Sequence, residues 1–234
     1  MKRTVHILLT AFIVFTVFIH CSEPFAYAVT IFTSSPVTVI LDAGHGGEDC
    51  GALADDGTKE KDINLKITEK IAVFLELFGI DFIKTRDSDI SVCDDGLNSI
   101  RQRKVSDIKN RYALVTQTPA SVLLSIHQNY YNSSECSGTQ VFYGASAAGS
   151  EELAEYIQNS VKEYVQPENL RNVKPSTGTI YLLDKAVRPS VMVECGFLSN
   201  NDEASKLKDG KYQSVLAFFI VRGLSSYLLS EKEV

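Results

Sequence analysis

The chain has 234 residues, of which 22% are charged and 44% are hydrophobic, and its formal net charge is −6. These values are ordinary for a globular protein and allow one domain with a sizeable core. The negative charge argues against a nucleic-acid partner. It also gives no general attraction to an anionic polymer, so such a substrate would have to be held by local contacts.

The N-terminal segment predicts export. Basic residues at positions 2–3 precede an apolar run over residues 7–19, and Ala-Tyr-Ala at 26–28 supplies the small residues of a cleavage site. This combination is typical of a secretory signal, and the apolar run is short for a membrane span. We therefore expect residues 1–28 to be a signal that meets the membrane only transiently, and residues 29–36 to be a short linker. An uncleaved anchor is the alternative.

Strand and helix patterns alternate along the rest of the chain. Short apolar, β-branched runs predict strands at 37–41, 80–85, 121–126, 138–143, 179–183 and 190–193. Apolar residues at helical spacing predict helices at 60–78, 98–116, 151–165 and 211–229. This order predicts an α/β fold with a single mixed, twisted sheet of about six strands and helices on both faces. We expect one domain over residues 37–230, with an irregular loop at 167–178.

The predicted helix 98–116 is strongly basic. Five lysine and arginine residues lie between positions 101 and 111. Such a pattern usually marks a solvated helix face, and the alternative is a docking face for a partner or an acidic substrate.

Two histidines follow predicted strands. His45 lies in Asp-Ala-Gly-His-Gly-Gly after the first strand, and His127 ends the strand at 121–126. They are the only histidines beyond residue 28, and the ends of strands place side chains at one rim of an open sheet. Two imidazoles and one carboxylate make a three-ligand zinc site with an open position. The glycine-rich loop also resembles a phosphate cradle, but it lacks the Lys-Ser/Thr of a P-loop.

Several carboxylates compete for the third ligand position. Glu60 opens the helix at 60–78, where its charge alone would already be favourable. The competitors are Asp42, Glu48, Asp49 and Asp62. Glu194 ends the apolar strand at 190–193, and a carboxylate there is costly to bury unless it has a partner. Beside a metal-activated water it would have one, so we expect Glu194 to be the acid/base.

Four cysteines lie beyond the signal, at positions 50, 93, 136 and 195. An even number in an exported protein permits two disulfides. A domain of this size does not need them, so free, partly buried thiols are equally compatible with the sequence.

Several motifs occur together in an order typical of one family. They are Leu-Asp-Ala-Gly-His-Gly-Gly, Glu-Lys-Asp-Ile-Asn-Leu, Ser-Ile-His-Gln-Asn, Ser-Gly-Thr-Gln-Val-Phe-Tyr and Val-Glu-Cys-Gly-Phe-Leu-Ser-Asn. Over about residues 37–229 the chain resembles the zinc-dependent N-acetylmuramoyl-L-alanine amidases of the amidase-3 family. The resemblance implies one Zn²⁺ per chain on His45, Glu60 and His127, with Glu194 as the catalytic residue. It makes residues 37–230 the catalytic domain.

A narrower resemblance is to the germination-specific amidases of spore formers, which are short and carry the same kind of basic segment. It implies a peptidoglycan substrate and export to the cell wall or the spore intermembrane space. It also implies a role in forming the muramic-δ-lactam of the spore cortex. We expect Asn129 and Arg171 to contact the substrate. The long loop at 43–59, between two ligands, suggests that an accessory envelope protein orders the zinc site.

Three other functions compete with this interpretation. The first is a zinc peptidase that cleaves the stem peptides of peptidoglycan. The second is a thiol peptidase that uses Cys195 or Cys136 with His127. The third is a non-catalytic wall-binding or adaptor protein on the amidase scaffold.

Overall fold

The computed structural model describes residues 37–230. The strands are β1 (Thr38–Ala43), β2 (Phe82–Lys84), β3 (Ser121–Asn129), β4 (Gln140–Tyr143), β5 (Lys174–Pro175) and β6 (Ser190–Phe197). The helices are α1 (Glu60–Leu77), α2 (Ile100–Gln117), α3 (Ser150–Tyr164), α4 (Tyr181–Asp184), α5 (Asn201–Lys208) and α6 (Gly210–Ser230). The predicted signal at 1–28 and linker at 29–36 lie outside the described residues.

The six strands form one mixed sheet in the order β2-β1-β3-β6-β4-β5. Strands β2, β1, β3 and β6 are parallel, β4 is antiparallel to β6, and β5 is parallel to β4. Because β1, β3 and β6 are parallel neighbours, their carboxyl ends meet at one rim. The predicted α/β class and single mixed sheet are therefore confirmed.

Helices cover both faces of this sheet. On one face α1, α3, α5 and α6 pack over the larger core, whose strand residues include Leu41, Leu124 and Val193. On the other face α2 and α4 cover a smaller core around Ile40, Leu123 and Met192. Alternate residues of one strand thus enter different cores, as the two-residue period of a strand requires.

The long helices follow their sequence patterns. In α1 the buried residues Ile63, Ile67 and Ile71 recur every fourth position and form one apolar stripe. Helix α2 begins with a capping box, in which Ser99 and Gln102 each accept a hydrogen bond from the other's backbone N–H. By length and composition α6 is apolar enough to cross a membrane. Its most apolar window is 56% buried, and it packs on α1 and α3, so it is a core helix of this domain.

The structure differs from the predicted elements near residue 180. The run at 179–183, predicted as a strand, ends in the short helix α4, because the Asp184 carboxylate accepts hydrogen bonds from Ser176, Gly178 and Ile180 and closes a turn. The outer position in the sheet goes to β5, which lies within the predicted loop at 167–178. Helix α5 was not predicted. Its N-cap, Asn200, accepts from two backbone N–H groups.

Candidate metal centre

The ends of β1 and β3 and the start of α1 bring three potential ligands together. Donor atoms of His45, Glu60 and His127 all lie within 4.8 Å of one another. Glu60 Oε1 is 3.2 Å from His45 Nε2 and 3.0 Å from His127 Nδ1. The two imidazole rings meet edge to face, with 4.9 Å between centroids. Residues that are far apart in sequence therefore converge on one point at the rim of the sheet.

Glu60 is anchored from several sides. Its side chain is 5% exposed, and Oε2 accepts a hydrogen bond from the Ala52 backbone at 2.8 Å. Oε1 accepts from the Gln128 backbone N–H at 3.1 Å and from the Asn64 amide at 3.2 Å. Burial opposes its charge, but the hydrogen bonds and charges of the two histidines lower the pKa of Glu60 well below its usual range. Glu60 is therefore a carboxylate held in a fixed orientation.

The other acidic competitors are used elsewhere. Asp42 is buried against Arg111, and Glu48 forms an ion pair with Arg103. Asp49 accepts from His45 Nδ1 at 2.9 Å, on the ring edge away from Glu60. Asp62 is exposed. The structure therefore singles out Glu60 as the third member of the cluster.

Two glycines let these groups approach closely. A Cβ on Gly44 would lie 2.2 Å from His127 Nε2, and a Cβ on Gly51 would lie 2.4 Å from Glu60 Oε2. Gly51 also has a φ of +65°, a backbone conformation that residues other than glycine rarely adopt. Gly44 and Gly51 are thus required by the close packing of His45, Glu60 and His127.

The loop that carries His45 is fixed by two buried arginines. Arg111 donates to the carbonyls of Ala43 at 2.8 Å and His45 at 2.9 Å. Arg86 donates to the carbonyls of Ala43 at 2.9 Å and Gly44 at 3.1 Å. His45 itself has a φ of +61°, which is uncommon for a residue with a side chain. The arginines hold this turn, and nothing in the local pattern around His45 revealed them.

Arg111 belongs to a buried ion network. It pairs with Asp42, and its Nε donates to Asp107 at 2.6 Å. Burial alone would raise the pKa of Asp42, but Arg111 and hydrogen bonds from Ser125 and Thr85 lower it to about 2. The interpretation of α2 as a purely solvated basic face is therefore wrong for Arg111, which is 4% exposed.

Glu194 lies beside the cluster on the neighbouring strand. Its Cα is paired with that of His127 in the β3–β6 ladder, so both side chains share one face of the sheet. Its Oε2 atom is buried and has no hydrogen-bond partner among the described residues. Burial, together with the nearby Glu60 carboxylate, raises the pKa of Glu194 to about 7, although electrostatic interactions with His127 and His45 oppose the rise. Glu194 is an orphaned carboxyl group poised to exchange a proton near neutral pH.

A groove of about 340 Å³ opens next to the cluster. Arg103 and Lys104 of α2 line one wall, and Tyr181 and Met192 are on the other, with His45 and His127 also exposed to it. The cluster is therefore accessible to a molecule that enters this groove.

The two residues predicted to contact the substrate, Asn129 and Arg171, have different surroundings. Asn129 ends β3, two residues beyond His127. Arg171 lies over the Phe197 ring, 4.4 Å from its centroid, and donates to the Ser137 carbonyl at 2.6 Å. Contact of either residue with substrate stays a prediction.

The four cysteines described by the structure are all free, and Cys195 is fully buried behind Glu194. Burial raises the pKa of the Cys195 thiol far above its ordinary value. A thiolate nucleophile at Cys195 is therefore disfavoured.

Comparisons with known proteins agree with this geometry. The Amidase_3 family model, described as N-acetylmuramoyl-L-alanine amidase, matches residues 39–226. The germination-specific N-acetylmuramoyl-L-alanine amidase of Bacillus subtilis (strain 168) is 35% identical over 189 residues, which are 81% of this chain and 78% of that protein.

Two solved structures extend the comparison. The CwlD amidase from Clostridioides difficile, in complex with the GerS lipoprotein, is 42% identical with a TM-score of 0.79, over 82% of this chain and 98% of that one. The N-acetylmuramoyl-L-alanine amidase from Clostridium difficile 630 is 33% identical with a TM-score of 0.72, over 85% and 100%. The chain therefore belongs to the Amidase_3 family of N-acetylmuramoyl-L-alanine amidases.

Proposed function

We propose that this chain is a zinc-dependent amidase that hydrolyses the amide between the lactyl group of N-acetylmuramic acid and L-alanine in peptidoglycan. The observation that carries the proposal is the convergence of His45, Glu60 and His127 beside Glu194, whose buried Oε2 has no partner among the residues described. Family membership supports the amidase activity.

The donor set fits zinc. Ligand atoms about 2 Å from a tetrahedral zinc lie about 3.3 Å from each other. Glu60 Oε1 is 3.2 Å from His45 Nε2 and 3.0 Å from His127 Nδ1, so small movements would admit the ion. Two imidazole nitrogens and one carboxylate are also the donors of a zinc site that keeps an open position. One zinc per chain follows from the single cluster found among residues 37–230.

The residues around the ion have separate roles in the proposed reaction. When bound, zinc supplies Lewis acidity that polarises a carbonyl and acidifies water. Glu194 takes a proton from the attacking water at Oε2 and passes it to the leaving alanine nitrogen. Burial raises the pKa of Glu194, which favours its uptake of the proton. The groove would hold the polymer near the cluster. Asn129 and Arg171 do not line this groove and are proposed as separate substrate contacts.

The test combines metal analysis with identification of the product. Wild type and the His127→Ala variant are analysed for zinc, and peptidoglycan treated with each is examined by mass spectrometry. We expect zinc in the wild type only, and release of intact stem peptides with a free L-alanine amino group. Cleavage within the stem peptide would instead indicate a peptidase. An intact polymer, despite bound zinc, would indicate a wall-binding or adaptor protein.

We further propose that the chain is exported and acts in the spore cortex. The N-terminal pattern supports export, and the 35% identity to a germination-specific amidase supports the spore role. Deletion of the gene is expected to remove muramic-δ-lactam from the cortex and to block germination. Normal lactam content in the deletion strain would refute the spore role and leave the amidase activity untouched.

An accessory envelope protein is part of this proposal. A relative of 42% identity was solved in complex with a lipoprotein. In this chain the loop at residues 43–59, part of which is already held by Arg86 and Arg111, is the segment that such a partner would stabilise further. Zinc affinity would then rise in the complex, because a partner that binds the ordered state stabilises it. Equal zinc affinity of the isolated chain and the complex would refute this role.

A further inference from the structure

His45 engages both of its ring nitrogens. Nε2 lies 3.2 Å from Glu60 Oε1, and Nδ1 lies 2.9 Å from Asp49 Oδ2. A neutral imidazole that offers Nε2 to a metal carries its proton on Nδ1, and that proton needs an acceptor. His127 is different, because its Nδ1 is the atom near Glu60. The two histidines therefore present different nitrogens to the cluster, and only His45 has a carboxylate behind its other nitrogen among the described residues.

Asp49 is itself held in place. Its backbone exchanges two hydrogen bonds with Gly46, at 3.0 and 3.1 Å, so the turn after His45 closes on itself. The Gly51 N–H donates to Asp49 Oδ1 at 3.4 Å, and Lys104 Nζ lies 3.4 Å from Oδ2. Asp49 is thus fixed to its own loop and to helix α2.

The neighbouring carboxylate has a separate partner. Glu48 accepts two hydrogen bonds from Arg103, at 2.5 and 2.7 Å, and both side chains are partly exposed. This pair also joins the loop to α2, but Glu48 makes no described contact with the His45 ring. Glu48 and Asp49 therefore share a loop and a partner helix, and they differ in contact with the metal-facing histidine.

We propose that Asp49 is a positioning residue for the metal centre. It holds the His45 ring in the rotamer and tautomer that direct Nε2 towards Glu60, and Lys104 fixes Asp49 in turn. The inference rests on the proposed function, because it requires zinc at this cluster. Carboxylates behind metal-ligating histidines act in this way in general, and their loss costs about 10–100-fold in metal affinity.

The first experiment measures zinc affinity of the full chain by competition with a chromophoric chelator. Asp49→Ala is expected to weaken zinc binding about 10–100-fold. Asp49→Asn retains an oxygen that accepts from Nδ1–H, so its loss is expected to be smaller. Glu48→Gln is the matched control, which removes a neighbouring charge and weakens the Arg103 pair, and it is expected to stay within about threefold of wild type. Circular dichroism of the metal-free proteins establishes that each variant is folded.

The second experiment measures the protonation of Nδ1 on the His45 ring. Long-range ¹H–¹⁵N spectra of the zinc-loaded protein are expected to show a protonated Nδ1 on His45 in wild type and in Asp49→Asn. In Asp49→Ala that signal is expected to shift or to broaden by exchange with solvent. Should Asp49→Ala fail to fold, the affinity experiment still tests the proposal, because Asp49→Asn is expected to lose more than about threefold in zinc affinity and Glu48→Gln is not.

Two results would overturn the inference. One is zinc affinity in the Asp49 variants equal to that of the Glu48→Gln control. The other is an unprotonated Nδ1 on His45 in the loaded wild type. A wild-type chain that binds no zinc, either alone or in its native complex, would instead overturn the proposed function.

Discussion

Replacing Arg111 by methionine tests the buried network that fixes the His45 loop. The change keeps an unbranched side chain but leaves Asp42, which is 1% exposed, without its ionic partner. Removing one member of a buried ion pair typically costs about 3–5 kcal/mol. Asp42 keeps hydrogen bonds from Ser125 and Thr85, which favours the lower end of this energy range. The His45 carbonyl, however, loses its hydrogen-bond donor. We expect a loss of about 3 kcal/mol in the free energy of unfolding at pH 7.

The difference in the free energy of unfolding between wild type and Arg111→Met is expected to change with pH in one direction. In the wild type the pKa of Asp42 is lowered from 3.8 to about 2, so its stabilising contribution of about 2 kcal/mol is present above pH 4. It is lost as the pH falls through 2. In Arg111→Met, burial raises the pKa of Asp42 above 3.8, and the cost of the buried charge is relieved as the pH falls. The difference between the two proteins should therefore shrink between pH 7 and pH 4.

The measurement is urea denaturation followed by circular dichroism, with a chelator present so that metal does not contribute to stability. Arg101→Met is the matched control, because Arg101 is exposed on the same helix. It should change the free energy of unfolding by less than about 0.5 kcal/mol. A loss below about 1 kcal/mol in Arg111→Met, or a loss that grows towards pH 4, would contradict the role assigned to this network.

Three further changes probe the site. Glu194→Gln should reduce hydrolysis by about 10²–10⁴-fold and leave zinc binding intact; retained activity would remove Glu194 from the mechanism. Gly51→Ala places a methyl group 2.4 Å from Glu60 Oε2 and should weaken zinc binding by more than about tenfold. Its control, Gly57→Ala, has a similar φ of +82° and open space among the described residues, so unchanged affinity there and in Gly51→Ala would reject the steric argument. A chelator should abolish activity while a thiol-blocking reagent should not, because Cys195 is fully buried and the proposed mechanism uses none of the partly exposed cysteines; the opposite outcome would favour a thiol enzyme.

Much of the sheet could be predicted because the central strands are continuous apolar runs. Strands β1, β3 and β6 are buried on both faces, and such strands stand out in any sequence. The strand predicted at 179–183 was wrong for a related reason, because a short apolar run does not distinguish a strand from a buried helical turn. There the side chain of Asp184 decided the outcome, through hydrogen bonds that no periodicity reveals.

The cluster was accessible from the sequence only in part. Both histidines follow strands that meet at one rim, so their approach could be argued from topology. The choice of Glu60 over its acidic neighbours depended on family resemblance, and the structure explains it by giving Asp42, Glu48 and Asp49 other partners. The roles of Arg86 and Arg111 depend on contacts across more than 40 positions of the chain, which a single sequence does not display.

The left-handed backbone at His45 has a consequence for the order in which the protein matures. That conformation is maintained by arginines from two separate segments, one after β2 and one in α2, and both must be in place before the turn is stable. Glu60 and His127 come from two further elements. A partly folded chain therefore holds no preassembled group of ligands, and on the proposed function the ion would bind only after the sheet is complete. On the proposed function, metal content becomes a readout of correct topology, and a misfolded copy stays inactive.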